Sequence, residues 1–310
     1  MVVSIVGAVR TTIFLFGQSI AMTENTSEST CPSGQSCSTC GGKCADEKRK
    51  LHDNLLGVKH ILLVMSGKGG VGKSTVATNL AMSLALDGYV TGLLDVDLHG
   101  PSIPKMLGLE DHTLESDGEK LLPVTMGNVK VMSIGFSLDS QDQAVIWRGP
   151  VKYSVIQQLL SEVAWGELDY LVIDAPPGTG DEPLSVCQLL PQADGAIVVT
   201  TPQQVAAVDV SKSLNFLEQV HYRVLGIVEN MSGFACPHCG EITQIFSEGA
   251  GEALAAKYHV PFLGRLPVDP QICQAGDAGK PFVYSYGKTA TAQAFVQIVD
   301  AIVANTGRTK

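Results

Sequence analysis

The sequence predicts an α/β protein in which a mostly parallel sheet carries helices on both faces. Three observations predict it. Short apolar runs alternate with helical stretches along the chain, one such unit is a strand followed at once by a glycine-rich loop and a helix, and no linker or internal repeat divides the chain after residue 58. The 310 residues are 45% hydrophobic, enough for one sizeable core, and they divide into a flexible N-terminal tail over 1–57 and a single domain over 58–310. A formal charge of -10 argues against nucleic acid as the main partner, so any affinity for polyphosphate must come from a local device.

Residues 1–22, MVVSIVGAVRTTIFLFGQSIAM, are apolar, but Arg10 cuts them into pieces well short of the ~20 uninterrupted residues of a spanning helix. Neither a membrane anchor nor a signal peptide is expected, and Met22 offers an alternative start. From Thr23 to about Asn54 large apolar side chains are almost absent, so a tail is expected, ordered only where a metal orders it. Cys31, Cys37, Cys40 and Cys44 place four thiolates within that tail, enough for a complete site from one chain. Their irregular spacing favours a [4Fe-4S] cluster over zinc, whose ribbons usually present two Cys-x2-Cys arms.

HILLVMS (60–66) reads as a strand and VATNLAMSLALDG (76–88) as a helix closed by Gly88. Between them Gly67, Lys68, Gly69, Gly70, Val71, Gly72, Lys73, Ser74 and Thr75 match the G-x-x-x-x-G-K-[ST] phosphate loop in its required context. The glycines let the backbone curl so that amide N–H groups and the helix N-terminus face phosphate oxygens. Lys73 then reaches the terminal phosphates and the Ser74 hydroxyl ligates Mg2+. The next strand, YVTGLLDVD, leads into a loop carrying Asp97, placed to orient or deprotonate a water, and LDYLVID (168–174) ends in Asp174, which belongs in the Mg2+ shell.

Three further strands, ADGAIVVTT (193–201), VLGIVEN (224–230) and PFLGRLPV (261–268), alternate with helical stretches at 210–220, 251–259 and 289–304. Between VLGIVEN and the helix at 251–259 lies FACPHCG, whose Cys236 and Cys239 read as half a metal site, a redox couple or ordinary thiols. A redox motif of this spelling opens a helix; the GEITQIF that follows here reads as a turn into a strand or hairpin. His238 reads as solvent-facing, and Cys187 and Cys273 as buried or incidental thiols. As a metal site the pair is incomplete, since neither zinc nor a [4Fe-4S] cluster is content with two thiolates.

The phosphate loop with its second lysine, Lys68, together with DVDLHGPS, WRGP (147–150), VIDAPPGTGDE, VENMSGFACPHCG (228–240) and LPVDP (266–270), resembles the Mrp-type iron-sulfur carrier ATPases, relatives of MinD, ParA and nitrogenase iron protein. The match runs from Val58 to the C-terminus, and the cysteine tail is similar in kind, though tighter in spacing, to that of the eukaryotic cytosolic iron-sulfur scaffold ATPases.

The resemblance implies a deviant Walker A fold that hydrolyses ATP in the cytoplasm as a homodimer. In that family the extra lysine, here Lys68, crosses the two-fold interface to the partner's nucleotide. Asp97 then positions water, Asp174 joins the Mg2+ shell, and Asn230 hydrogen-bonds adenine with Pro267 packed near the base. Cys236 and Cys239 share a bridging [4Fe-4S] cluster with their symmetry copies and hand it to apo-proteins. Arg148 of WRGP is a signature residue without a derivable role. Two rival readings stand beside this one. A MinD- or ParA-like positioning switch should show a membrane helix or a basic surface, whereas the C-terminal helix here is Ala-rich with few basic residues. The other rival is an ATPase stapled by structural zinc.

Overall fold

The computed structural model describes residues 43–137, 149–235, 241–246 and 248–307. Its strands are β1 (Val58–Ser66), β2 (Thr91–Asp95), β3 (Glu115–Ser116), β4 (Leu121–Leu122), β5 (Val124–Met126), β6 (Val129–Ser133), β7 (Leu168–Asp174), β8 (Gly195–Thr200), β9 (Val224–Ala235), β10 (Ile242–Thr243) and β11 (Phe262–Val268). Its helices are α1 (Lys43–Leu55), α2 (Lys73–Leu86), α3 (Ile103–Met106), α4 (Gly149–Ser161), α5 (Asp181–Leu189), α6 (Gln204–Gln219), α7 (Ala250–Tyr258), α8 (Pro270–Asp277), α9 (Phe282–Ser285) and α10 (Ala290–Thr306).

One sheet runs in the order β10-β9-β8-β1-β7-β2-β6-β5, with β11 also paired to β9. All pairings from β11 through β9, β8, β1, β7 and β2 to β6 are parallel, and only the short β10 and β5 run antiparallel. Every residue of β1 from His60 to Ser66 is buried although successive side chains point to opposite faces, so both faces of the sheet are covered. This is why the interior strands read as continuous apolar runs instead of alternating ones. The expected α/β class, with helices on both faces, is what the chain adopts.

Helix α2 packs across β1, β2 and β7, while α10 packs on β11 and α2, and α6 on β8 and α7. Its buried residues run all the way round it, from Lys73 through Val76 to Leu84, as expected for a helix enclosed on every side. Because the central strands are parallel, their C-terminal ends lie along one edge. The phosphate loop, Asp95 to Asp97 and Asp174 therefore meet there although they are distant in sequence.

The expected tail through residue 57 departs from the structure at its end. Lys43–Leu55 is helical, Leu51 and Leu55 are buried, and Asn54 Nδ2 donates to the carbonyls of Leu160 (3.0 Å) and Val163 (2.9 Å). Two leucines four residues apart give the helix an apolar stripe against α4, so packing orders this stretch without metal. Cys31, Cys37 and Cys40 lie outside the described residues, and Cys44 falls within α1. Among the described residues no helix is long and apolar enough to cross a membrane.

Candidate functional site

The loop between β1 and α2 is shaped by close approaches that only glycine permits. At Gly72 φ is 84°, in the left-handed region, and a Cβ there would fall 2.2 Å from Asn230 Nδ2. At Gly67 a Cβ would meet the Asp209 carbonyl carbon of α6 at 2.6 Å. The loop is tied to its surroundings by backbone bonds. Val76 N donates to Gly72 O (3.0 Å) to start α2, and Gly178 N, beyond β7, donates to Ser66 O (2.8 Å).

The buried Lys73 ammonium lies 2.6 Å from Asp174 Oδ1 and 3.5 Å from Asp97 Oδ2. Asp174 is fully buried, and among the described residues its other oxygen, Oδ2, has no hydrogen-bond partner. Leaving a buried acceptor unsatisfied costs about 1–3 kcal/mol, more when it is charged, which marks Oδ2 as a group held ready for a ligand. Asp95 is also fully buried, accepting from Ser133 Oγ (3.0 Å) and Asp97 N (3.1 Å).

Burial, reinforced by the charge of Asp174, pushes Asp95 up to about 8; burial also raises Asp174, against the opposing pull of Lys73. Three carboxyl groups thus crowd one ammonium, a concentration of oxygen donors that suits a divalent cation. Hard cations take oxygen donors, and the Ser74 hydroxyl, 3.4 Å from Lys73 Nζ, acts on the Asp174 carboxyl as well. These residues fit Mg2+.

Beside the loop opens a cavity of about 600 Å3 whose walls include Gly72, Thr75, Asn230, Pro267, Cys273 and Phe282. Asn230 and Pro267, read from the sequence as base contacts, thus share one cavity with the phosphate loop. Asn230 Nδ2 donates to Val71 O at 2.9 Å, so the amide is held by the loop itself. Lys68 is half-buried, with its carbonyl accepting from Ser66 Oγ (2.9 Å), and its ammonium makes no ion pair with the described residues of its own chain.

Cys273 is exposed on α8 and lines the cavity, so of the two expected readings, buried or incidental, the buried one does not hold. Cys187 is buried as expected, and burial pushes its thiol up to about 12, which leaves it unreactive. Cys236, His238, Cys239 and Arg148 lie outside the described residues. What flanks the cysteine pair is clear. Ala235 at the end of β9 pairs with Ile242 of the antiparallel β10, so the motif connects two strands of a hairpin, the context read from GEITQIF.

The sequence reading missed several functional-looking residues. Asp95 stands inside the quoted DVD yet drew no attention, because only burial distinguishes it from a loop aspartate. Glu229 is fully buried and accepts from Ser232 Oγ (2.7 Å), Gly251 N (2.6 Å) and Arg265 Nε (3.2 Å). His99 on the Asp97 loop and Glu182 on α5 are joined (3.1 Å), and Lys152 of α4 bonds both, lying 2.8 Å from His99. Burial alone would raise Glu182, but the hydrogen bonds and charges of Lys152 and His99 hold it below the usual carboxylate range. No local sequence signal brings these groups together, since they come from segments about fifty and eighty residues apart.

Comparison with known proteins agrees with this geometry. The family model described as NUBPL iron-transfer P-loop NTPase (ParA) matches residues 57–303. The cytosolic Fe-S cluster assembly factor NUBP2 homolog of Monosiga brevicollis is 51% identical over 261 residues, covering 83% of this chain and 92% of that protein. The iron-sulfur cluster carrier protein of Methanocaldococcus jannaschii is 46% identical over 275 residues, covering 88% and 94%. A nucleotide-binding protein from Archaeoglobus fulgidus, solved in complex with ADP, superposes with a TM-score of 0.68 at 43% identity over 76% of this chain and 93% of that one.

Proposed function

The chain belongs to the NUBPL iron-transfer family of P-loop NTPases, and we propose that it is an ATP-hydrolysing iron-sulfur carrier that holds a [4Fe-4S] cluster and delivers it to apo-proteins in the cytosol. The observation that supports the nucleotide half of this reading is Asp174, paired with Lys73 on one oxygen beside a phosphate loop whose Gly72 and Thr75 line a cavity large enough for a nucleoside. The names borne by its relatives, together with a cysteine pair set between antiparallel strands, support the cluster half.

In this reading Gly67 to Gly72 and the start of α2 cradle the phosphates, with the adenine in the cavity between Asn230 and Pro267. Lys73 leaves its carboxylate partners for the terminal phosphates. Ser74 and Asp174 hold Mg2+, which supplies charge neutralisation at the phosphoryl oxygens. Asp97 orients a water for in-line attack on the γ-phosphorus; the new P–O bond forms as the bond to the β-phosphate oxygen breaks, giving ADP and phosphate. Lys68, without an ionic partner among the described residues of its own chain, serves the nucleotide of a second copy, so ATP closes a homodimer and hydrolysis reopens it. The same two-fold axis brings two Cys236 and Cys239 pairs together as a four-thiolate site for the transferable cluster, and Cys31, Cys37, Cys40 and Cys44 hold a second cluster in the tail.

The test is iron and acid-labile sulfide content of the full chain purified without oxygen, beside a Cys236→Ala, Cys239→Ala double variant. About four iron and four sulfide per dimer should disappear in the variant while ATP binding persists. Zinc without sulfide in the full chain would replace the carrier reading with a stapled ATPase.

A further inference from the structure

Asp97 lies two residues beyond the end of β2, and the bonds that aim it belong to its neighbours. Ser133, Asp95 and Asp174 stand in register on the adjacent strands β6, β2 and β7, and all three are fully buried. Ser133 Oγ accepts the Gly135 N–H at 3.0 Å, which occupies one lone pair and leaves its single proton for Asp95 Oδ2, also at 3.0 Å. The other oxygen of Asp95 accepts the Asp97 N–H at 3.1 Å. Gly135 thus donates to Ser133 and Ser133 to Asp95, whose other oxygen accepts from the backbone of Asp97.

Removing the hydroxyl would leave Asp95 Oδ2 buried beside Asp174 without the donor that now fixes it. The cation that already acts on Asp95 is Lys73. A carboxylate turning toward that ammonium would release the Asp97 amide and draw Lys73 away from Asp174. We propose that Ser133 is a positioning residue for ATP hydrolysis: by satisfying Asp95 it keeps Asp97 aimed and reserves Lys73 for Asp174 and the phosphates. The inference rests on the hydrolytic role given to Asp97 above.

The test is Ser133→Ala, a small deletion, assayed in the full chain by phosphate release, by affinity for a non-hydrolysable ATP analogue and by hydrogen exchange at the Asp97 amide. Loss of one buried hydrogen bond to a charged group should lower kcat about tenfold, leave analogue affinity within about threefold, and speed exchange at Asp97 by about tenfold or more. Unchanged kcat overturns the proposal, as does a parallel loss of analogue affinity, or a slower enzyme whose Asp97 amide exchanges as before. If the unaltered protein turns over and Ser133→Ala matches it, positioning by Ser133 falls and the ATPase reading stands. If the unaltered protein releases no phosphate, both fall together.

Discussion

Two acids at the same edge of the sheet, Asp174 at the end of β7 and Glu229 within β9 opposite the last residue of β8, are both fully buried, yet their surroundings are opposite. Glu229 is saturated by its own chain. It accepts from Ser232, Arg265 and the backbone amides of Gly249 (3.4 Å) and Gly251, at the N-terminus of α7, where the helix dipole favours negative charge. Asp174 has one ammonium on one oxygen, and its other oxygen has no hydrogen-bond donor within normal geometry among the described residues. Burial of a charge is tolerated in both places, but only the unsaturated one leaves free energy to be gained from a ligand. Glu229 is therefore a structural acid and Asp174 a binding one, a distinction that residue type and burial alone do not draw.

The sharpest test of that contrast takes the groups left open. Lys68→Ala should lower ATP turnover by about 10^3-fold, the scale of a cation supplied to a transferring phosphoryl group, with nucleotide binding still measurable. Steady-state phosphate release beside analogue binding reads this, and unchanged turnover would remove Lys68 from the site. At the saturated acid the loss should fall on stability instead. Glu229→Ala leaves two backbone amides and the Ser232 hydroxyl without their buried acceptor and Arg265 with Glu252 alone, and denaturant unfolding should show about 3 kcal/mol lost; a loss under about 1 kcal/mol would erase the comparison.

A smaller effect is expected at the loop between the two acids. Gly72→Ala puts a Cβ at a left-handed position and against the Asn230 amide, which should cost about 1–2 kcal/mol in stability and raise the KM for ATP. An unchanged melting temperature would contradict the close approach. The smallest effect is in pH. Asp95 titrates at about 8 instead of 3.8, so the stability tied to its protonation is complete below its ordinary value and is lost as pH rises through about 8. The ligand-free protein should lose stability as pH rises from about 4 to about 8 and level off above that, and Asp95→Asn should flatten that decline in thermal melts; an equal slope in both proteins would speak against it.

Much of the fold was legible because its signals are local. Strand, loop and helix at 58–86 declare themselves by an apolar run, by glycines where the backbone must curl, and by a buried helix, all within thirty residues. Helix α1 was not legible, since KCADEKRKLHDNL carries only two leucines and reads as polar until α4 is present to cover them. The same limit applies at the site. Lys73, Asp97 and Asp174 were marked by motif and by position after strands. Ser133 and Glu229 carry no mark, because a serine ending β6 or a glutamate in β9 looks like any other until its partners are in place.

The sequence by itself determined the fold class, the phosphate loop and the family, because each depends on patterns within a short window or on ordered motifs along one chain. Only the tertiary structure decided which oxygen of Asp174 is left bare, that Asp95 is enclosed beside it, and that Glu229 is satisfied. Those outcomes are set by donors arriving from strands and helices tens to a hundred residues away, and in a low-dielectric interior the presence or absence of one such donor decides what a buried acid can do.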